Sequence, residues 1–351
     1  MSTSGAPQTS GGKDILLRVR GLKRYFDVSQ PLLNRLLEGK PRQILRAVSG
    51  INFDIQRGHT FALVGESGCG KSTVANLVVG LYRPTAGTIE FDGQDLAKLQ
   101  RRSELAAIRR KMAMIFQDPY ASLNPRWRVF NIISEPIRAF GLLDDKQAII
   151  DRTAQLLTQV GLSPQDGQKY PHEFSGGQRQ RISIARALAS DPQFIVCDEP
   201  TSALDVSVQA QILNLMSELQ QRLGLSYLFI SHDLAVVRHM ADRIGVMYLG
   251  RLCESAPADT LFENPRHPYT RLLLDTIPDI EMTGRKRVPV AGEIPNPIDP
   301  PTGCAFHPRC PRVTDVCRRE RPHLRPVADG IMVACHAVDA PDHLSGSQAA
   351  G

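Results

Sequence analysis

Short apolar runs separated by glycine-bearing turns open the chain. Ile15–Val19, Phe53–Ile55, Phe61–Val64 and Thr88–Phe91 each read as strands. Val28–Leu45, between the first two, is a basic insertion with little pattern. From about Gln100 to Tyr170 the period becomes largely helical. Ile149, Leu156, Leu157 and Val160 share one face there, and that run stops at Gly161. Strands return at Phe194–Cys197 and Tyr227–Ile230. Between them Val206–Leu223 carries Ile212, Leu215, Met216, Leu219 and Leu223 on one face and ends at Gly224. Strands alternating with helices predict an α/β core, with a helical insertion over about residues 100–175.

Beyond Ile277 the pattern fades. Ten of the 25 prolines lie between Pro278 and Pro326, and four of the seven cysteines follow Gly303. This region is expected to form a separate appendage rather than more sheet. The chain thus divides into a flexible leader (1–13), a core domain (14–276), a small Pro/Cys-rich domain (277–340) and a flexible tail (341–351). At 351 residues it exceeds one ordinary domain, and 42% hydrophobic with 22% charged residues is a globular composition. The small, polar start lacks the apolar segment of a signal peptide, and no apolar run approaches the ~20 residues that span a bilayer. The net charge of +6 is mild and demands neither a nucleic-acid nor a membrane partner. A cytoplasmic protein with reduced thiols is the expectation.

Candidate chemistry begins with Gly65-Glu66-Ser67-Gly68-Cys69-Gly70-Lys71-Ser72, a G-x-x-x-x-G-K-[ST] loop. It follows the apolar run Phe61–Val64 and leads into a helical pattern, Ser72–Val79, the setting such a loop needs. Glycines let the backbone wrap phosphates, and bare N–H groups at the helix start supply positive potential. Lys71 is placed for the outer phosphates of a nucleotide and the Ser72 hydroxyl for Mg²⁺, with Thr73 beside them. About a hundred residues on, Phe174-Ser175-Gly176-Gly177-Gln178 precedes an amphipathic run carrying Ile182, Ala185, Leu188 and Ala189. It is a second helix start that offers N–H groups to an anion. Phe194-Ile195-Val196-Cys197-Asp198-Glu199 then ends an apolar strand in two acids, which is costly unless they face a ligand or metal.

With these three segments the chain resembles the ATP-binding-cassette family, whose signature is usually written LSGGQ. Phe174 stands here for its Leu. The resemblance implies a P-loop NTPase cassette with an inserted helical subdomain. It implies that Ser175, Gly176, Gly177 and Gln178 contact ATP held by another subunit. Asp198 would order the Mg²⁺ shell with Ser72 and Gln117, and Glu199 would act as general base. Gln117, in Ile115-Phe116-Gln117-Asp118-Pro119, matches the loop that links the nucleotide to the helical insertion. His232, in Ser231-His232-Asp233, matches the switch histidine. Asp205, in Ser202-Ala203-Leu204-Asp205, matches the D-loop and also reads as the N-cap of the helix from Val206. Of Tyr25-Phe26, Phe26 is the expected platform for adenine.

Several further segments resemble the ATP-binding subunits of dipeptide and oligopeptide importers. They include Asn264-Pro265-Arg266-His267-Pro268-Tyr269-Thr270 and the stretch from Gly292-Glu293-Ile294-Pro295 to Gly303-Cys304-Ala305-Phe306-His307-Pro308-Arg309-Cys310. Asp118-Pro119-Tyr120-Ala121-Ser122-Leu123-Asn124-Pro125 and Tyr248-Leu249-Gly250-Arg251 extend the resemblance over about residues 14–340. It implies an ATPase that powers peptide import from the cytoplasmic face of the bacterial inner membrane. Two integral-membrane permeases, a second identical or related ATPase and an extracytoplasmic binding protein would be its partners. An importer of nickel, glutathione or another small solute is the alternative. Nucleic-acid cassettes carry a long coiled coil or tandem cassettes, and this chain has neither.

The last four cysteines are spaced Cys304-x5-Cys310-x6-Cys317-x17-Cys335, without the C-x2-C pairs of a zinc ribbon. Irregular all-thiolate spacing suits an iron–sulfur cluster, and some members of the resembled group carry 4Fe–4S on these positions. A 4Fe–4S site is therefore expected, with zinc or free thiols as alternatives. Arg309, Arg312, Arg318, Arg319, Arg321 and Arg325 lie among the thiols and would offset a negative cluster. Cys69, Cys197 and Cys253 read instead as small residues in tight places.

Overall fold

The computed structural model describes residues 14–31, 34, 41–99, 101–275 and 293–338. The expected leader and tail, and the stretch 277–292 with Gly292, lie outside the described residues. Among the described residues twelve strands run in chain order: β1 (Ile15–Asp27), β2 (Ile44–Gln56), β3 (Thr60–Val64), β4 (Ala86–Phe91), β5 (Gln94–Asp95), β6 (Met112–Ile115), β7 (Phe194–Asp198), β8 (Ser226–Ser231), β9 (Arg243–Tyr248), β10 (Arg251–Pro257), β11 (Arg325–Ala328) and β12 (Ile331–Val333). They form an antiparallel sheet, β2-β1-β4-β5, and a larger one, β11-β12-β10-β9-β3-β8-β7-β6. From β9 to β6 the larger sheet is parallel, and the register sets Val64 against Ser231, Asp198 against Ile230, and Ile115 against Cys197.

Period-two alternation sends β3, β7 and β8 into two cores. Phe61, Leu63, Phe194, Val196, Leu228 and Ile230 pack with the antiparallel sheet and with Val74, Leu77 and Val78 of the helix Lys71–Val78. Ala62, Val64, Ile195, Cys197, Tyr227 and Phe229 pack with the helices Gly176–Leu188 and Val206–Leu223 and with the insertion helices Val129–Ala139 and Lys146–Gln159. Burial on both faces is why these strands read as unbroken apolar runs rather than alternating ones. The helix Val206–Leu223 ends as expected, with Gly224 in the left-handed region at φ 64°.

Three features depart from the sequence reading. β6 lies inside the stretch expected to be helical, because Met112-Ala113-Met114 suits a helix as well as a strand. The expected stretch holds the helix Arg102–Arg110 before β6, and helices resume at Pro119. β1 and β2 reach 13 residues each, since exposed residues such as Arg20 and Asn52 break their apolar patterns. The Pro/Cys-rich region does add to the sheet. β12 pairs with β10 through Glu254↔Val333 and Ser255↔Met332, and β11 pairs with β12. Strands this short carry no periodic signal, and Pro326 is tolerated because β11 is an edge. Among the described residues no helix is long and apolar enough to cross a membrane.

Candidate functional site

The carboxyl ends of four adjacent parallel strands deliver the candidate residues to one place, as open α/β sheets do. β3 runs into the Gly65–Ser72 loop, β7 ends at Asp198 with Glu199 next, β8 leads to His232, and β6 leads to Gln117. Gly70 precedes the helix Lys71–Val78 at φ 107°, with no side chain capping that helix. A Cβ there would lie 2.2 Å from the Ala47 carbonyl oxygen, so only glycine fits between β2 and the helix start. The uncapped N–H groups remain for an anion.

Lys71 is buried at 5% exposure. Its Nζ donates to the carbonyls of Gly65 at 2.6 Å and Glu66 at 3.1 Å, which hold the ammonium where phosphate oxygens would take over. The Ser72 hydroxyl donates to Asp198 Oδ1 at 3.1 Å. Burial raises the Asp198 carboxyl above its ordinary range and the Glu199 charge adds to this, while the Ser72 hydrogen bond and Lys71 pull it down. A buried carboxylate in contact with a hydroxyl is a fitting hard-oxygen donor pair that would hold Mg²⁺.

Glu199 sits at φ 48°, in the left-handed region that non-glycine residues rarely occupy. Its Oε2 accepts from Gln117 Nε2 at 3.0 Å and lies 3.2 Å from His232 Nδ1. The structure thus brings Gln117, Glu199 and His232 together. Asp233 is occupied elsewhere, capping the helix Leu234–Met240 through the Ala235 and Val236 N–H groups.

The signature residues form a separate unit. Ser175 Oγ accepts from the Gln178 N–H at 3.4 Å and Gln178 Oε1 accepts from the Ser175 N–H at 3.0 Å, a capping box at the head of Gly176–Leu188. A Cβ on Gly177 would meet Val208 Cγ1 at 2.4 Å, so this helix start packs directly on the helix that follows Asp205. Asp205 holds the N-cap position of that helix, but its side chain makes no capping hydrogen bond. It is exposed, next to Val206 at 83% exposure.

Phe26 packs edge-on against Tyr82, with the Arg24 guanidinium 4.5 Å from its ring centre. Tyr25 falls in a bulge of the β1–β2 pairing, opposite Arg46 and Ala47. Ala47 is the residue whose carbonyl lies against Gly70.

Two partners of the loop were not apparent from the sequence. The Glu66 N–H donates to the Tyr269 hydroxyl at 2.9 Å, and Arg309 donates from both Nη atoms to the Glu66 carboxylate. No local pattern signals a contact across 243 residues.

The four late cysteines share one neighbourhood without forming a ligand set. Burial raises the thiols of Cys304, Cys335 and Cys310, the last to about 11, and neighbouring thiols, Cys317 among them, push each further up. The Cys317 sulfur already pairs with Thr314 Oγ1 at 3.3 Å, and the Cys335 sulfur accepts from the Ala337 N–H at 3.3 Å. Among the described residues no group of three or more His, Cys, Asp or Glu side chains is arranged to hold a metal ion. The expected 4Fe–4S group thus finds no support here, and no chemistry is routed through it. Cys69, Cys197 and Cys253 are buried packing residues whose thiols burial drives up.

Comparison with known proteins adds to this geometry. The sequence profile described as ABC transporter matches residues 48–202, and that of the oligopeptide/dipeptide transporter C-terminal region matches residues 253–317. The chain is 45% identical over 331 residues to the oligopeptide transport ATP-binding protein AppF of Bacillus subtilis, covering 93% of this chain and 99% of that one. It is 48% identical over 326 residues to the dipeptide transport ATP-binding protein DppF of Haemophilus influenzae, covering 92% and 97%. Among solved structures it resembles a dimeric ATP-binding cassette in a post-hydrolysis state with ADP and Pi, at 27% identity and TM-score 0.60 over 69% of this chain and 98% of that one. It also resembles cbiO1 of Clostridium perfringens, part of an ABC transporter complex, at 28% identity and TM-score 0.60 over 72% and 92%.

Proposed function

Because the chain belongs to the ABC transporter family, among its oligopeptide and dipeptide transport ATP-binding proteins, we propose that it hydrolyses ATP to power the import of di- and oligopeptides. The observation that carries this reading is the meeting of Gln117, Glu199 and His232 at the strand ends that also present Lys71, Ser72 and Asp198. Gly65, Glu66, Ser67, Gly68, Cys69 and Gly70 wrap the phosphates with backbone N–H groups, and Lys71 exchanges its two carbonyl partners for phosphate oxygens. Ser72, Asp198 and Gln117 would hold Mg²⁺, which would supply positive charge against the nucleotide phosphates. Thr73 follows on the same helix turn.

Glu199 orients the attacking water and accepts its proton as the γ-phosphorus–oxygen bond breaks. His232, beside it, contacts the γ-phosphate side. Gln117 ties this centre to the helical insertion, so loss of the γ-phosphate can be felt there. For the base, the β1–β2 register favours Tyr25 over the expected Phe26, because Tyr25 lies opposite the residue that abuts Gly70 while Phe26 is engaged with Arg24 and Tyr82.

Ser175, Gly176, Gly177 and Gln178 serve the nucleotide of a second ATPase subunit, and the exposed Asp205 faces the same joint. Two membrane permeases bind the helical insertion, an extracytoplasmic binding protein supplies peptide, and the chain works at the cytoplasmic face of the membrane without nucleic acid. Reconstitution with the permeases in proteoliposomes tests the reading. ATP turnover should rise with peptide-loaded binding protein, and indifference to every peptide would end the peptide assignment.

A further inference from the structure

A half-buried ion pair joins the Cys-rich C-terminal region to the phosphate loop. Arg309 Nη1 donates to Glu66 Oε2 at 2.7 Å and Nη2 to Oε1 at 2.8 Å, a two-pronged fork. The Arg309 side chain is only 3% exposed. It sits on the turn His307–Arg309, which is anchored by Phe306 against the rings of Tyr248 and Tyr269, each 5.3 Å away. The Tyr248 hydroxyl also accepts from Arg309 Nη1 at 3.4 Å.

Glu66 is therefore held at three points. Its N–H is fixed by the Tyr269 hydroxyl, its carboxylate by Arg309, and its carbonyl accepts from Lys71 Nζ. Two of these three ties come from segments far along the chain, and the third reaches the lysine that meets phosphate. A surface arginine that merely docked a module would have no need to grip this loop.

We propose that Arg309 is a positioning residue for nucleotide binding: through Glu66 it sets the phosphate loop, so that ATP affinity depends on how the C-terminal region is seated. The proposal rests on the reading that Gly65–Ser72 holds ATP. Arg309→Gln leaves the Glu66 carboxylate without its fork, and the loop then relaxes away from the geometry that points its N–H groups inward. Glu66→Gln keeps the side chain's shape and tests the same link from the loop side.

The experiment measures ATP KM and kcat for wild type, Arg309→Gln, Arg309→Lys, Glu66→Gln and the Arg309→Gln/Glu66→Gln pair, with Lys71→Ala as reference. KM should rise about tenfold in Arg309→Gln, the worth of one charge-assisted hydrogen bond. The kcat should change less than about threefold, because Gln117, Glu199 and His232 are untouched. Arg309→Lys should recover part of the loss, and the double variant should be no worse than the poorer single one. Unchanged KM in both single variants, or effects that simply add, would overturn the proposal. If Lys71→Ala itself binds ATP as wild type does, the nucleotide assignment falls, a failure distinct from the first.

Discussion

His267 should make this protein acid-labile in a way that one substitution removes. The imidazole is 2% exposed and packs beside Phe306 at 5.8 Å between ring centres. Its Nδ1 accepts from the Tyr269 N–H at 3.0 Å, which places the ring proton on Nε2, toward the Ala334 backbone. Protonation would set an N–H against an N–H and charge a buried ring. Burial accordingly lowers its pKa from 6.5 to about 4. A folded-state pKa below the unfolded one means that the unfolded chain binds the proton first. The stability tied to neutral His267 is therefore complete above about pH 6.5 and drains away as pH falls toward 4.

The slope is at most about 1.4 kcal/mol per pH unit, or about 3 kcal/mol over the window. Glu254, whose carboxylate accepts from the Arg266 and His267 N–H groups, is raised by burial and titrates with the opposite sign. The total pH profile is thus a sum, and the comparison with His267→Asn isolates the histidine. The Asn carbonyl can still accept from Tyr269. Urea unfolding followed by far-UV circular dichroism from pH 7.5 to 4.5 should show the wild type losing stability relative to His267→Asn, by about 2 kcal/mol at pH 5. Parallel profiles for the two proteins would refute the reasoning.

Other perturbations separate the roles at the strand ends. Glu199→Gln should lower ATP turnover about 10²–10⁴-fold, as loss of a general base does, while ATP binding by filter assay stays near wild type. Near-normal turnover would remove Glu199 from that role. Tyr25→Ala should raise the KM for ATP more than Phe26→Ala does, since only Tyr25 lies opposite the Ala47 edge that borders Gly70. The reverse order would return the adenine platform to Phe26.

How legible the molecule was depended on the range of the signal. The strands β3, β7 and β8 declared themselves because burial on both faces makes four apolar residues run together in each. The helix Val206–Leu223 was readable to its ends, its stripe closed by a glycine that alone tolerates φ 64° cheaply. The phosphate loop, Asp198 and Glu199 were visible as sequence-local patterns. β6 and β12 were not: Met112-Ala113-Met114 suits a helix as well as a strand, and the three residues of β12 have no period to show. Nor was the grip of Arg309 and Tyr269 on Glu66, which depends on the chain returning to the sheet edge beside β10. The four late cysteines show the limit of spacing alone: it advertised a ligand set, and among the described residues no group of three or more His, Cys, Asp or Glu side chains is arranged to hold a metal ion.

The central claim is that nucleotide is enclosed between the phosphate loop of one subunit and the signature of another. Sedimentation of Glu199→Gln in ATP with Mg²⁺, compared with ADP, tests it most directly. A dimer in ATP alone, abolished by adding either Lys71→Ala or Ser175→Arg, is the predicted result. A sedimentation coefficient indifferent to nucleotide, or an ATP-bound dimer untouched by Ser175→Arg, would contradict it.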